Sequence, residues 1–167
     1  MRRLVGFAIV ILMSSAIQAQ EQQRGPSTPE ERAQAVRLAR MLEANPLDPQ
    51  AKDARKWLTV WLITVPDISV AVCGSFMGPL LNSKKDYAPE IFSQSMYSTT
   101  AFVIEHPESK DDSEAKYLAG VEGSLRAYES LKKTNPKLHW PVLDDLVARR
   151  DANTLAVYVH EKTPSCK

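Results

Sequence analysis

The stretch Trp57–Leu81, WLTVWLITVPDISVAVCGSFMGPLL, holds one charged residue, Asp67, in 25 positions. A run this apolar belongs in a bilayer, in a protein core or in the wall of a binding site. Pro66 and Asp67 divide it, and the uncharged piece beyond them, residues 68–83, is only 16 residues long and contains Gly74, Gly78 and Pro79. Spanning a bilayer takes about 20 apolar residues, and an Asp at midspan costs about 2.5 to 3.5 kcal/mol on the insertion scale. Length, charge and helix breakers together argue against a transmembrane span and for a buried core. Ile68, Val70 and Val72 alternate as in a strand, but a lone strand has no partner elsewhere in this sequence and would leave its backbone groups unsatisfied. The expectation is an irregular or short helical segment that packs across the core, tied covalently at Cys73.

The chain opens with MRRLVGFAIVILMSSAIQAQ: two arginines, an apolar run from Leu4 to Met13, then small and polar residues. This is the three-part plan of a secretory signal peptide, and the run is too short to span a bilayer. Cleavage is expected after Ala19, with Ala16 as the alternative, and an uncleaved anchor is the competing reading. The chain carries 21 basic and 20 acidic side chains, so losing Arg2 and Arg3 moves the formal charge from +1 to about −1. A nearly neutral surface gives no electrostatic reason to expect a nucleic-acid partner. The remaining length suits a single domain. Localisation is expected to be exported, in the bacterial periplasm or outside the cell.

Export to an oxidising compartment makes the two cysteines informative. Cys73 with Cys166 is the one internal pairing available. Closing a loop of about 93 residues is worth at most about 4 to 5 kcal/mol in the chain-entropy model, and it would pin a C-terminal tail that otherwise frays. A mixed disulfide with a partner and a reactive free thiol are the competing readings, and the chain has no CxxC.

Apolar periodicity and punctuation divide the rest into an all-α array of about five to six helices. Residues 20–27 read as a flexible leader, and residues 28–167 as one helical domain. Thr28, Pro29 and Glu31 form a helix start with a capping box, followed by a stripe of Ala35, Leu38, Ala39 and Leu42 that ends at Asn45–Pro46. A second helix, about 49–65, aligns Trp57 and Trp61 on one face, expected to be core. A third, from Pro89 to about Glu105, presents Phe92, Met96 and Val103 on a body of small residues that permits close packing. Asp111 or Asp112 caps a long fourth helix with the stripe Leu118, Val121, Leu125, Tyr128 and Leu131. Gly120 and Gly123 each cost that helix about 1 kcal/mol against Ala, which a close neighbouring backbone such as the serine-rich third helix would justify. Pro141 opens a fifth helix. Asn153, which tolerates left-handed geometry, and Thr154, a cap, precede a sixth.

Motifs for chemistry are sparse. His106, His139 and His160 are far apart, each near a helix end, and no HExxH or Cys and His cluster is present. The acidic turn around Glu108, Asp111 and Asp112 lacks EF-hand spacing and reads as a solvated helix start. Ser75 lies outside a GxSxG elbow, and there is no GxGxxG fingerprint or P-loop. No metal or cofactor is expected, and a catalytic role is the less favoured reading. The leading expectation is a non-catalytic exported helical protein that binds another exported protein or supports the envelope, with Phe76, Met77 and Leu80 as the partner-binding patch. The alternative is a hydrolase or small-ligand protein whose site gathers Asp67, Ser75, Tyr97 or His106 between the Cys73 segment and the third helix.

Overall fold

The computed structural model describes residues 24–166, so the expected signal peptide, residues 1–19, and the first half of the leader lie outside the described residues. Six α-helices follow one another: α1 (Pro29–Ala44), α2 (Ala51–Thr64), α3 (Ala88–Glu105), α4 (Ser113–Thr134), α5 (Pro141–Asp151) and α6 (Leu155–Lys162). The helix starts are local chemistry. Thr28 and Glu31 exchange the two hydrogen bonds of a capping box, and Asp112 accepts from the Ala115 N–H. Asn153 adopts φ 57° where the chain turns from α5 into α6. Thr154 does not cap with its side chain; its hydroxyl donates back to the Arg149 carbonyl.

Between α2 and α3 the apolar stretch forms no strand. It crosses the domain as coil and two short 3-10 turns, Gly74–Phe76 and Gly78–Asn82. Cys73 is buried there and is bonded to Cys166, with the two Cα atoms 5.2 Å apart, so the C-terminal tail is fastened to the core. The chain then enters α3 through Asp86 and Tyr87, both in left-handed geometry at φ 49° and 59°. Such residues persist only where surroundings hold them, and the Trp140 indole N–H donates to the Asp86 carbonyl at 3.0 Å.

Helix α3 sits at the centre, packed against both α1 and α4. The buried apolar side chains fall into two clusters on either side of it. One joins α1 and α2 to Tyr97 and Ala101 of α3. The other joins the 3-10 turns, α4, α5 and α6 to Ile91. What lies between them is polar: Gln94, Ser95, Ser98, Thr99 and Thr100 are all buried. The expected apolar face of α3 is therefore incomplete, because Phe92 and Met96 are only partly buried while the hydroxyls face neighbouring helices on several sides.

The two glycines of α4 explain how a polar seam can be this tight. A Cβ on Gly120 would stand 2.6 Å from the Thr99 hydroxyl and 3.0 Å from the Ser95 carbonyl oxygen. On Gly123 it would stand 1.9 Å from the Ser98 hydroxyl and 2.9 Å from a Glu43 carboxylate oxygen. The helix propensity lost at these positions is offset by close approach of α3. Replacing Gly123 by Ala tests this: propensity alone gains about 1 kcal/mol, whereas overpacking a rigid site costs about 1 to 3 kcal/mol. Urea unfolding of Gly123→Ala is expected to show a net loss of stability, and a net gain would contradict the packing account.

Candidate functional site

The structure disperses the residues that sequence reasoning grouped. Phe76, Met77 and Leu80 are 2%, 1% and 1% exposed and belong to the core cluster around α4. They form no surface patch: the 3-10 turns aim them inward, with Phe76 packed at 5.5 Å from the Tyr117 ring. Leu81, one residue on, is the large hydrophobic side chain of this segment that reaches solvent, at 50% exposure. The four residues of the alternative site also part company. Asp67 binds Ser27 and Arg32, Tyr97 shares a hydrogen bond with Thr59 of α2, His106 ends α3 against Glu108, and Ser75 is exposed. The space between the Cys73 segment and α3, lined by Met77, Ser95 and Thr99 among others, is about 10 Å³, room for one water at most.

All three histidines are exposed and face carboxylates: His106 with Glu108, His139 with Asp144, His160 with Glu114. The hydrogen bond it donates to the Glu114 carboxylate holds the His160 imidazole above its ordinary range. Among the described residues no three His, Cys, Asp or Glu side chains converge on a point that would hold a metal, and no helix is long and apolar enough to cross a membrane.

Two other arrangements stand out. The first is buried. Glu43, 5% exposed, accepts from Arg126 of α4 at 2.8 and 3.1 Å, from Arg40 at 2.8 Å and from the Ser98 hydroxyl at 2.7 Å. Burial pushes its carboxyl upward, but the hydrogen bonds from Arg126 and Ser98 and the charges of Arg126 and Arg40 outweigh it, so its pKa is lowered. Gln94 completes the junction by donating to Ser98 and to the Ala39 carbonyl. Arg40, Ser98 and Arg126 all donate to the one carboxylate, which makes the cluster a clamp between α1, α3 and α4. Glu43 falls four residues after Ala39 and eight after Ala35. Its place on the α1 stripe was the sequence signal for a buried charge.

The second arrangement is open to solvent. Trp57 and Trp61 stack with ring centroids 5.6 Å apart and planes 12° apart. Trp61 is buried against α1 and α3, while Trp57 is half-buried. Val60, which lines a groove with them, is 53% exposed, and Ile63, three residues on, is 78% exposed. Trp57, Val60 and Trp61 form the floor of an open groove of about 450 Å³, with Asp53 and Lys56 at one end and Arg24, Glu31 and Thr64 completing the lining. The leader builds this wall. Arg24 donates to the Thr64 hydroxyl at 2.7 Å and pairs with Glu31. The Glu31 carboxyl is lowered by the Thr28 backbone N–H, against burial, with help from Trp61 and Arg24.

Asp67 anchors that wall from below. It accepts from the Ser27 N–H and hydroxyl, both at 2.8 Å, and from Arg32 at 2.6 Å. Burial raises its pKa, but the Ser27 and Arg32 hydrogen bonds prevail and bring it from 3.8 to about 2. A carboxyl lowered in the folded state contributes stability that is complete above its unfolded pKa and is lost as pH falls toward the folded value. Partial exposure screens that contribution. Stability measured by urea unfolding is therefore expected to fall as pH drops from about 4 to about 2, and Asp67→Asn to be less stable at neutral pH with a shallower acid limb. An unchanged acid limb would contradict the anchor.

No family model matches this chain, and neither a curated protein nor a solved structure is significantly similar to it. The fold and the groove are what define it: among the described residues, a compact all-α domain of six helices with one disulfide, carrying an apolar, tryptophan-floored face on a peripheral helix.

Proposed function

We propose that this chain is a non-catalytic, exported helical module of the bacterial cell envelope, and that it acts by docking a protein surface onto the outer face of α2. The observation that carries the reading is that Val60, more than half exposed, lines one groove with the stacked Trp57–Trp61 pair. Aromatic side chains in a partly desolvated setting give large contact area at low entropic cost, which is why interfaces concentrate them. Monomeric surfaces scatter single apolar residues, whereas a contiguous apolar face with charges at its ends has the layout of an interface core and rim. Export rests on the signal-like residues 1–19 and on a disulfide that suits an oxidising compartment.

The reading also accounts for the economy of the rest of the domain. A core held by a buried ion cluster and a disulfide is a rigid platform, and rigidity lowers the entropic cost of association. A photo-crosslinking side chain placed at Val60 of the full chain in its host is expected to give a discrete protein adduct that Ile63→Asp abolishes. The same probe at Leu81, an exposed apolar residue on another face, is expected to give none. Equal adduct formation from both positions would refute the reading.

A further inference from the structure

We infer that the partner of the α2 face is a second copy of this chain, docked with its α2 antiparallel to the first. The inference rests on the docking reading above and names its occupant. Asp53, Lys56, Trp57, Val60, Trp61 and Thr64 line the groove from α2, spaced three, one, three, one and three residues apart. That spacing is a single seam along a helix, the kind that packs against another helix, and it runs about 16 Å at 1.5 Å per residue.

The seam is complementary to its own reverse. An antiparallel copy centred between Leu58 and Thr59 sets Trp57 against the partner's Val60, and Val60 against the partner's Trp57. It also brings Asp53 and Lys56 of one chain to the end where Arg24 is bonded to Thr64 and paired with Glu31. Asp53 and Lys56 join no ion pair within the chain, among the described residues. In the dimer the carboxylate of Asp53 faces the partner's Arg24 and the ammonium of Lys56 faces the partner's Glu31. The two-fold axis repeats both contacts, so each end of the seam gathers two positive and two negative charges around an apolar centre. A two-fold interface requires this match of a patch with itself; a parallel copy would set Asp53 against the partner's Asp53 and leave the ends repelling.

The test is the mass of the full exported chain across a dilution series, by sedimentation equilibrium from about 1 to about 500 µM, the range suited to a contact at the small end of specific interfaces. The inference predicts a reversible monomer–dimer equilibrium. Asp53→Lys alone and Arg24→Glu alone are each expected to weaken it by about tenfold or more, and the double exchange to restore it to within about threefold, because rim charges select partners. Both positions are at the surface, and circular dichroism on each variant separates loss of association from loss of fold. A monomer at every concentration would overturn the inference. So would a dimer indifferent to the two exchanges, or a double variant no better than the singles. If the chain stays monomeric while the Val60 probe still yields an adduct with a different protein, the docking reading stands without the second copy; if both are absent, both fall.

Discussion

A carboxylate buried among three helices organises this domain. Glu43 is too deeply placed to be tolerated alone, since an uncompensated buried charge costs several kcal/mol. It therefore fixes where Arg40, Ser98 and Arg126 must be, and through them the relative positions of α1, α3 and α4. Gly123 is the geometric condition for this: with no Cβ, it lets Ser98 and Glu43 occupy the space beside α4. The two apolar clusters then fill in on either side of a polar seam. Each supplies burial, while the seam between them supplies register, because hydroxyls and carboxylates bind only where their partners stand.

The periphery depends on that centre in a graded way. Disulfide Cys73–Cys166 ties the tail to the α4 side of the core. On the opposite side α2 packs mainly on α1, and the leader is laced to it by Asp67, Ser27 and Arg24. A helix held along one side keeps a second side for something else. The outer side of α2 carries Trp57, Val60 and Ile63 where a solvated helix would carry charges.

Much of the local structure was legible in the sequence. The Thr28–Glu31 capping box, Asp112 as a cap, Asn153 as a left-handed residue and the helix-breaking prolines act within a few residues of themselves, and short-range chemistry reads directly. The disulfide was legible because only one internal pair existed. Gly120 and Gly123 pointed to a close neighbour, and α3 is that neighbour. Depth was the property hardest to read from the sequence. Phe76, Met77 and Leu80 sit in a segment of 3-10 turns with no long period from which to read a face, and their direction is set by α3, α4 and α6 packing onto them. The hydroxyl-rich side of α3, by contrast, was expected to permit close packing, and it does: it is enclosed by other helices, with its hydroxyls engaged in hydrogen bonds. Trp57 and Trp61 were assigned together to the core, but successive turns of one helix differ in what covers them, and only Trp61 is buried.

The claim that the Glu43 junction holds α1, α3 and α4 in place is tested most directly by a double-mutant cycle between Glu43 and Arg126, with urea unfolding of the oxidised protein as the readout. Residues sharing one ion network couple by about 0.5 to 3 kcal/mol, whereas independent sites add within a few tenths. The account predicts that Glu43→Ala and Arg126→Ala each destabilise the domain and that their coupling is at least about 1 kcal/mol. A coupling indistinguishable from zero would mean that the seam is held by apolar packing on its flanks, and would contradict the account.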